Sequence, residues 1–328
     1  MRQVFEYDPD IGYRFIPGLK ARIPHESGGY LIRANSTGFR SDHEFGRTRT
    51  PGSRRVLLFG DSYTAGDGVS NGKRYSDVLE RELPNVEVFN FGLPGTGTDQ
   101  QYLAYRKYGR DIEHDLLVIV VMVENIRRIV AHYRHYSDEQ GRMVCYAKPY
   151  FELGGGGALS LRHVPPRKDP VSDEDLPPEE RGTVDRVGRF PKLRQWLIRT
   201  NLERLAHKVT RFQPYPEYGS PEHPAWQLMS TILREWIGSH PGPTLLVPLP
   251  LYYFVEELSS AKYAPRFKKV AEQTGCAWFD PLPELLKYDM AERRKFRFKK
   301  DVHPTPAGHV ALARALAPAI QKALEGKL

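Results

Sequence analysis

Residues 56–66 read VLLFGDSYTAG, an apolar, β-prone run that stops at Gly60 and sets Asp61 and Ser62 at the start of a new element. A serine at the carboxyl end of a buried strand, among small residues, stands where an open α/β sheet presents a nucleophile to a crevice. The competing reading is a plain helix N-cap, a place that Ser and Asp both favour.

Four further apolar runs share the character of the first: VEVFNFG (86–92), DLLVIVVMV (115–123), TLLVPLPL (244–251) and CAWFD (276–280). Hydrophobicity that is continuous, not alternating, marks strands covered on both faces, as in a parallel sheet between helices. Helical spacing of apolar residues falls between several of them, at 75–83, 265–273 and 305–324. Strand and helix in alternation predict right-handed crossovers and a doubly wound α/β architecture. The first fifty residues, rich in aromatics, Gly and Pro, read as an N-terminal arm or small β element, with the main domain over 51–328. An insertion at about 131–230 breaks the rhythm with Gly154 to Gly157, the acidic DPVSDEDLPPEE at 169–180 and a helical stretch at 192–209. It is too long for a plain loop, so part of it is expected to pack as a lid or subdomain, and substrate selection is placed there against the alternative of an inert decoration.

A chain of 328 residues with 40% hydrophobic content can bury a substantial core. No stretch reaches the ~18 apolar residues of a membrane helix, and the opening MRQVFEYDPD lacks a basic-then-apolar leader, so a cytoplasmic protein is expected. Cys145 and Cys276 lack the paired spacing of a zinc site, and no metal or disulfide is expected. The formal charge of +8 owes much to RRKFRFKK at 293–300. Such a run is ordinarily a solvated face, but at a crevice rim it would attract an anionic substrate. No nucleic-acid-binding signature accompanies it. LPGTGTD at 93–99 lacks the dinucleotide-binding spacing and no P-loop motif occurs, so no cofactor is expected.

Four blocks occur in order: GDS at 60–62, VFNFGLPGTGTDQQ at 88–101, VIVVMVENIRR at 118–128 and KDVHPTPAGH at 300–309. Together they resemble the SGNH (GDSL-type) serine hydrolases, over roughly 54–130 and 243–325. The resemblance implies a three-layer α/β/α, flavodoxin-like sandwich around a five-stranded parallel sheet of order 2-1-3-4-5.

A serine hydroxyl needs a base to take its proton and donors to hold the oxyanion that follows attack. His303 is the candidate base, in a loop before a small-residue-rich helix that can deliver its imidazole to the crevice; His309, within that helix, reads as structural. The imidazole needs an acceptor on its other nitrogen. Asp301 lies two residues before His303, whereas the family's common motif has Asp three residues before, where this chain has Lys300. Asp301 is favoured, with Asp280 at the end of the fifth strand as fallback. The resemblance implies three oxyanion donors: the amide of Ser62, the amide of Gly95, and the side chain of Asn125. Gly92 competes with Gly95, and a helix-capping role competes for Asn125, whose neighbours Glu124 and Ile126 depart from the usual Gly-x-Asn-Asp.

The function implied is hydrolysis of an acyl ester, acetyl foremost, of a glycan or other hydroxylated metabolite through a Ser62 acyl-enzyme. Two alternatives stand beside it: an O-acyltransferase using the same residues, and a carbohydrate-binding or assembly module that has kept the fold without turnover.

Overall fold

The apolar runs do form strands, and their burial follows from position in the sheet. The computed structural model describes residues 4–137, 143–177, 180, 213–257 and 261–327, so the helix expected over 192–209 lies outside the described residues. The arm forms two antiparallel hairpins, β1 (Phe5–Asp8) with β2 (Gly12–Phe15) and β3 (Lys20–Ile23) with β4 (Tyr30–Arg33). The sheet strands follow: β5 (Arg54–Phe59), β6 (Val86–Asn90) and β7 (Leu116–Met122). Two more hairpins fall in the insertion, β8 (Tyr133–Ser137) with β9 (Met143–Ala147) and β10 (Tyr150–Leu153) with β11 (Leu159–Arg162). The sheet closes with β12 (Thr244–Leu249) and the short β13 (Ala277–Trp278).

All five sheet strands run parallel in the order β6-β5-β7-β12-β13, which in sheet numbering is 2-1-3-4-5. Every residue of β7 is buried, as a central strand with helices on both faces requires. Helices flank the sheet: α1 (Ser62–Ala65), α2 (Tyr75–Glu82), α3 (Thr98–Ala104), α4 (Asn125–Arg128), α5 (Pro224–Ser239), α6 (Tyr263–Thr274) and α7 (Pro306–Leu324). The chain leaves β5 for an outer neighbour, then returns past it to β7, so the strand order reverses between β5 and β7. Loops after those two strands therefore diverge and leave a crevice. Ser62 follows β5 and Asn125 follows β7.

The arm is part of the core. Phe39 packs edge-on to Phe91, ring centroids 4.8 Å apart, and Phe91 stacks on Phe59 of β5 at 4.5 Å. Arg40, wholly buried, donates to the carbonyls of Ala65 (3.0 Å), Gly66 (2.6 Å), Leu31 (3.2 Å) and Val69, and to Asn71 Oδ1 (2.8 Å). Burial pulls its pKa down to about 9, with the charge of Arg74 adding to the shift. This one guanidinium ties the arm to the turn that ends α1. Among the described residues, no helix is long and apolar enough to cross a membrane.

Arg40→Met keeps the length of the side chain but leaves the carbonyls of Ala65 and Val69 without a donor, while those of Gly66 and Leu31 keep the amides of Val69 (3.2 Å) and Asn71 (3.3 Å). Each buried carbonyl costs about 1–3 kcal/mol when left unpaired, so a loss of at least ~2 kcal/mol is expected. Urea unfolding of the wild type and variant measures it, and a difference under ~1 kcal/mol would show that the arm is not held this way.

Candidate active site

The turn between β5 and α1 is built on close backbone approach. A Cβ at Gly60 would come within 2.0 Å of Thr64 Oγ1, and one at Gly92 within 2.3 Å of the Ala65 nitrogen. Both positions need glycine for steric reasons. The helix cap is made by Asp61, whose Oδ1 accepts from the Tyr63 amide at 3.0 Å. Ser62 is thus the first residue of α1 and not its cap, and its Oγ is left for another partner.

That partner is His303. Its Nε2 lies 2.9 Å from Ser62 Oγ, although 241 residues separate the two in sequence. The loop that carries it is pinched shut by Phe298 N donating to His303 O (3.2 Å) and Thr305 N donating to Phe296 O (2.9 Å). The Tyr63 hydroxyl donates to Val302 O at 2.7 Å, so the residue after the serine holds the residue before the histidine. On the far side of the ring, Nδ1 meets Asp301 Oδ1 at 2.5 Å.

A second imidazole reaches the same carboxylate. His25, on the arm, places Nε2 3.1 Å from Asp301 Oδ2. The Ser27 amide donates to His25 Nδ1 at 3.2 Å, which leaves the neutral ring's proton on Nε2, pointing at Asp301. Glu26 Oε1 accepts from the amides of Lys300 (2.8 Å) and Asp301 (2.9 Å). Burial would raise the Asp301 pKa, but the hydrogen bonds and charge of His303, aided by His25, outweigh it and hold the group far below the usual carboxylate range. Burial alone would lower the pKa of His303; the Asp301 hydrogen bond and the charges of Asp67, Asp301 and Asp61 win and leave it raised.

Gly95 and Asn125 lie on the loops after β6 and β7, which Arg128 ties to the Asp61 carboxylate beside Ser62. Gly95 has φ +79°, the left-handed region, and its amide and that of Ser62 donate to no acceptor among the described residues. The Gly92 amide is spent on Asn90 Oδ1 at 2.8 Å, which decides between the two glycines as free donors. Asn125 opens α4 behind Glu124, and both its side-chain oxygen and nitrogen are buried without a partner. It caps nothing. Its carboxamide is therefore not committed to a protein partner and is open to another group.

Arg128, one turn further along α4, was not evident from sequence. Its Nη1 donates to Asp61 Oδ2 (2.9 Å) and Thr96 O (3.3 Å), and its Nη2 to Glu124 Oε2 (3.0 Å), binding the loops after β5, β6 and β7 together. Its spacing of three from Asn125 is the only sequence signal it offers.

Other candidates fall elsewhere. Asp280 accepts from the Leu282 amide (2.9 Å) and the Tyr263 hydroxyl (3.4 Å), and burial lifts its pKa to about 6; neither partner is His303. His309 accepts the Tyr75 amide on Nδ1 (3.2 Å), and burial drives its pKa down to about 3, so it stays neutral and joins α7 to α2. In the basic run, Arg297 is paired with Glu256 at 2.6 Å and Arg293 donates to Val255 O, while Arg294, Lys295, Lys299 and Lys300 are exposed. No group of three or more metal-ligating side chains occurs among the described residues.

A hydroxyl on an imidazole and an imidazole on a carboxylate form a set that can attack a carbonyl carbon. No family model matches the sequence, and no curated protein does either. Solved structures do. A member of the lipolytic protein G-D-S-L family from Veillonella parvula DSM 2008 shares 13% identity, covers 82% of this chain and 100% of its own, at a TM-score of 0.40. An acetylxylan esterase from Geobacillus stearothermophilus shares 14% over 82% of this chain and 95% of its own, at 0.43. The acetyl xylan esterase AlAXEase shares 14% over 81% and 99%, at 0.44. The chemistry available to this chain rests on its own side chains.

The imidazole pair makes a prediction independent of any substrate. His303 is expected to titrate above the ordinary ~6.5 of histidine, and Asp301→Asn to lower that value. His25→Ala is expected to raise it, since a carboxylate that no longer shares its charge with a second N–H stabilises the imidazolium more; Asp67 and Asp61 face the ring in both proteins. NMR titration of the histidine ring signals reads all three, and a fall in His25→Ala would mean that Asp301 has swung away.

Proposed function

We propose that this protein is a serine hydrolase that removes a small acyl group from a hydroxylated substrate, a glycan or related metabolite, through an acyl-enzyme on Ser62. The observation that carries the reading is the unbroken line from Ser62 Oγ through His303 to Asp301, 2.9 Å and 2.5 Å long at its two links, with Ser62 spared from capping its own helix. Two of the similar structures are esterases of acetylated xylan, and acetyl is the acyl group carried into the proposal.

In this mechanism His303 Nε2 takes the proton as Ser62 Oγ bonds to the ester carbon. Asp301 holds the Nδ1 proton and stabilises the imidazolium without being protonated itself. The amides of Ser62 and Gly95 and the Asn125 carboxamide hydrogen-bond to the oxyanion. Collapse expels the alkoxide, which leaves with the proton from His303. Water then bonds to the acyl carbon as its proton passes to His303, and the acid leaves as the bond to Ser62 Oγ breaks and His303 returns the proton to that oxygen. A hydroxyl acceptor in place of water would give acyl transfer on the same residues.

Turnover of 4-nitrophenyl acetate, with fluorophosphonate labelling of Ser62, tests the reading. Ser62→Ala and His303→Ala should abolish turnover, Asn125→Ala should lower kcat by about 10²–10³, and Asp301→Asn by about 10³–10⁴. Asp280→Asn should change it little. Ester cleavage that survives Ser62→Ala would overturn the proposal, and product analysis with added sugar acceptors separates hydrolysis from transfer.

A further inference from the structure

The insertion sends one charged side chain back to the crevice. Lys148, just past β9, is buried in an ion pair with Asp99 of α3, the helix that begins directly after the Gly95 loop. This fastens the base of the β8–β9 hairpin beside that loop. Arg134 of β8 consequently lies against Gly95: a methyl group added there would come within 3.1 Å of Arg134 Nη2, 3.2 Å of its Nε and 3.2 Å of the Tyr13 hydroxyl. Since a Cβ lies about 2.5 Å from its own amide nitrogen by standard bond lengths, the guanidinium stands within about 6 Å of the Gly95 amide.

The Arg134 charge is not answered by its neighbours. Its Nε is buried with no hydrogen-bond partner, and no acidic side chain among the described residues forms an ion pair with it. The nearby carboxylates are committed: Asp99 to Lys148, Asp61 and Glu124 to Arg128, and Glu180 to His132. The Tyr13 hydroxyl gives its proton to Pro94 O. A half-buried guanidinium without a counter-ion is costly, and its planar fork is matched by a carboxylate, which it can grip through two parallel hydrogen bonds.

We propose that Arg134 receives a carboxylate of the ester substrate, so that the preferred substrate is an ester carrying a negative charge a few bonds from the scissile carbonyl. This rests on the serine hydrolase reading and adds to it the charge of the substrate. The carboxylate can belong to the acyl group, as in a dicarboxylic half-ester, or to the alcohol, as in an O-acetylated uronic acid. The Arg134 site, and not the exposed part of the 293–300 run, is then where the anion is held.

The experiment compares kcat/KM of the full-length protein on two matched pairs: mono-4-nitrophenyl succinate against 4-nitrophenyl acetate, and O-acetylated galacturonate oligosaccharides against O-acetylated xylo-oligosaccharides. A preference of at least tenfold for the charged member of either pair is expected, and which pair shows it identifies the side of the ester that bears the carboxylate. Arg134→Gln should shrink that ratio at least tenfold, with Arg134→Lys falling between. Equal losses on charged and neutral esters would overturn the proposal, as they would assign Arg134 to the oxyanion alone. A wild type labelled on Ser62 by fluorophosphonate but without preference for either charged ester would also overturn it, leaving the hydrolase reading intact. A wild type that neither labels nor turns over defeats the hydrolase reading itself. Should Arg134→Gln fail to fold, the wild-type ratios still decide, supported by competitive inhibition by succinate measured against its diamide.

Discussion

The site depends on a division of labour between two adjacent residues. The first turn of a helix leaves amides that need acceptors, and serine is as good a cap as aspartate. Had Ser62 taken that duty, its Oγ would have been drawn under the helix and away from His303. Asp61 does so instead, through one carboxylate oxygen, while the other oxygen accepts from Arg128. The cap therefore frees the hydroxyl and also anchors the loop from the third sheet strand beside it. Gly60 and Gly92 allow this because neither leaves room for a side chain between strand, helix and loop.

Buried ion pairs recur around the crevice, and their use is geometric. Replacing such pairs by well-packed apolar groups is often neutral or stabilising, so stability alone does not account for them. Asp61 with Arg128 joins the loops that bear Ser62, Thr96 and Asn125, and Asp99 with Lys148 joins the insertion to the helix behind Gly95. Burial raises the pKa of Asp61 and lowers that of Lys148, each only partly offset by its partner, which is the expected sign for charges held for position in a dry setting.

The sheet was legible because burial on both faces writes continuous apolar runs, and four of the five strands lie inside such runs nearly end to end. The β13 strand is the weakest, two half-buried residues within CAWFD, as befits an edge. Ser62 was singled out by the apolar run that stops at Gly60, whereas Gly95 and Asn125 were singled out through the ordered blocks that carry the family resemblance and His303 through the loop before a small-residue-rich helix. The resemblance favoured Gly95 over Gly92, and the structure adds a reason that sequence does not carry, that the Gly92 amide is already bonded to Asn90 Oδ1. His25 and Arg134 were not legible, for they act across 276 residues and across an inserted hairpin; no local pattern encodes a contact of that span. Arg128 lay in the quoted block, yet nothing in a pair of arginines says which one turns inward.

The unusual spacing of the acid and the presence of the arm explain each other. With Asp only two residues before His, Asp301 Oδ1 accepts both the His303 amide (3.1 Å) and its Nδ1 (2.5 Å), a tight turn in which one oxygen does all the work. The other oxygen would face water, for the side chain is 31% exposed, and the carboxylate would be free to rotate out of the turn. His25 takes that oxygen, Phe298 packs edge-on against the His25 ring at 4.5 Å, and Glu26 fixes the amides of Lys300 and Asp301. A longer spacing would let the loop itself hold the acid. Here the loop is too short for that, and a segment 276 residues away supplies the missing constraint, so the arm that completes the core also sets the orientation of the acid.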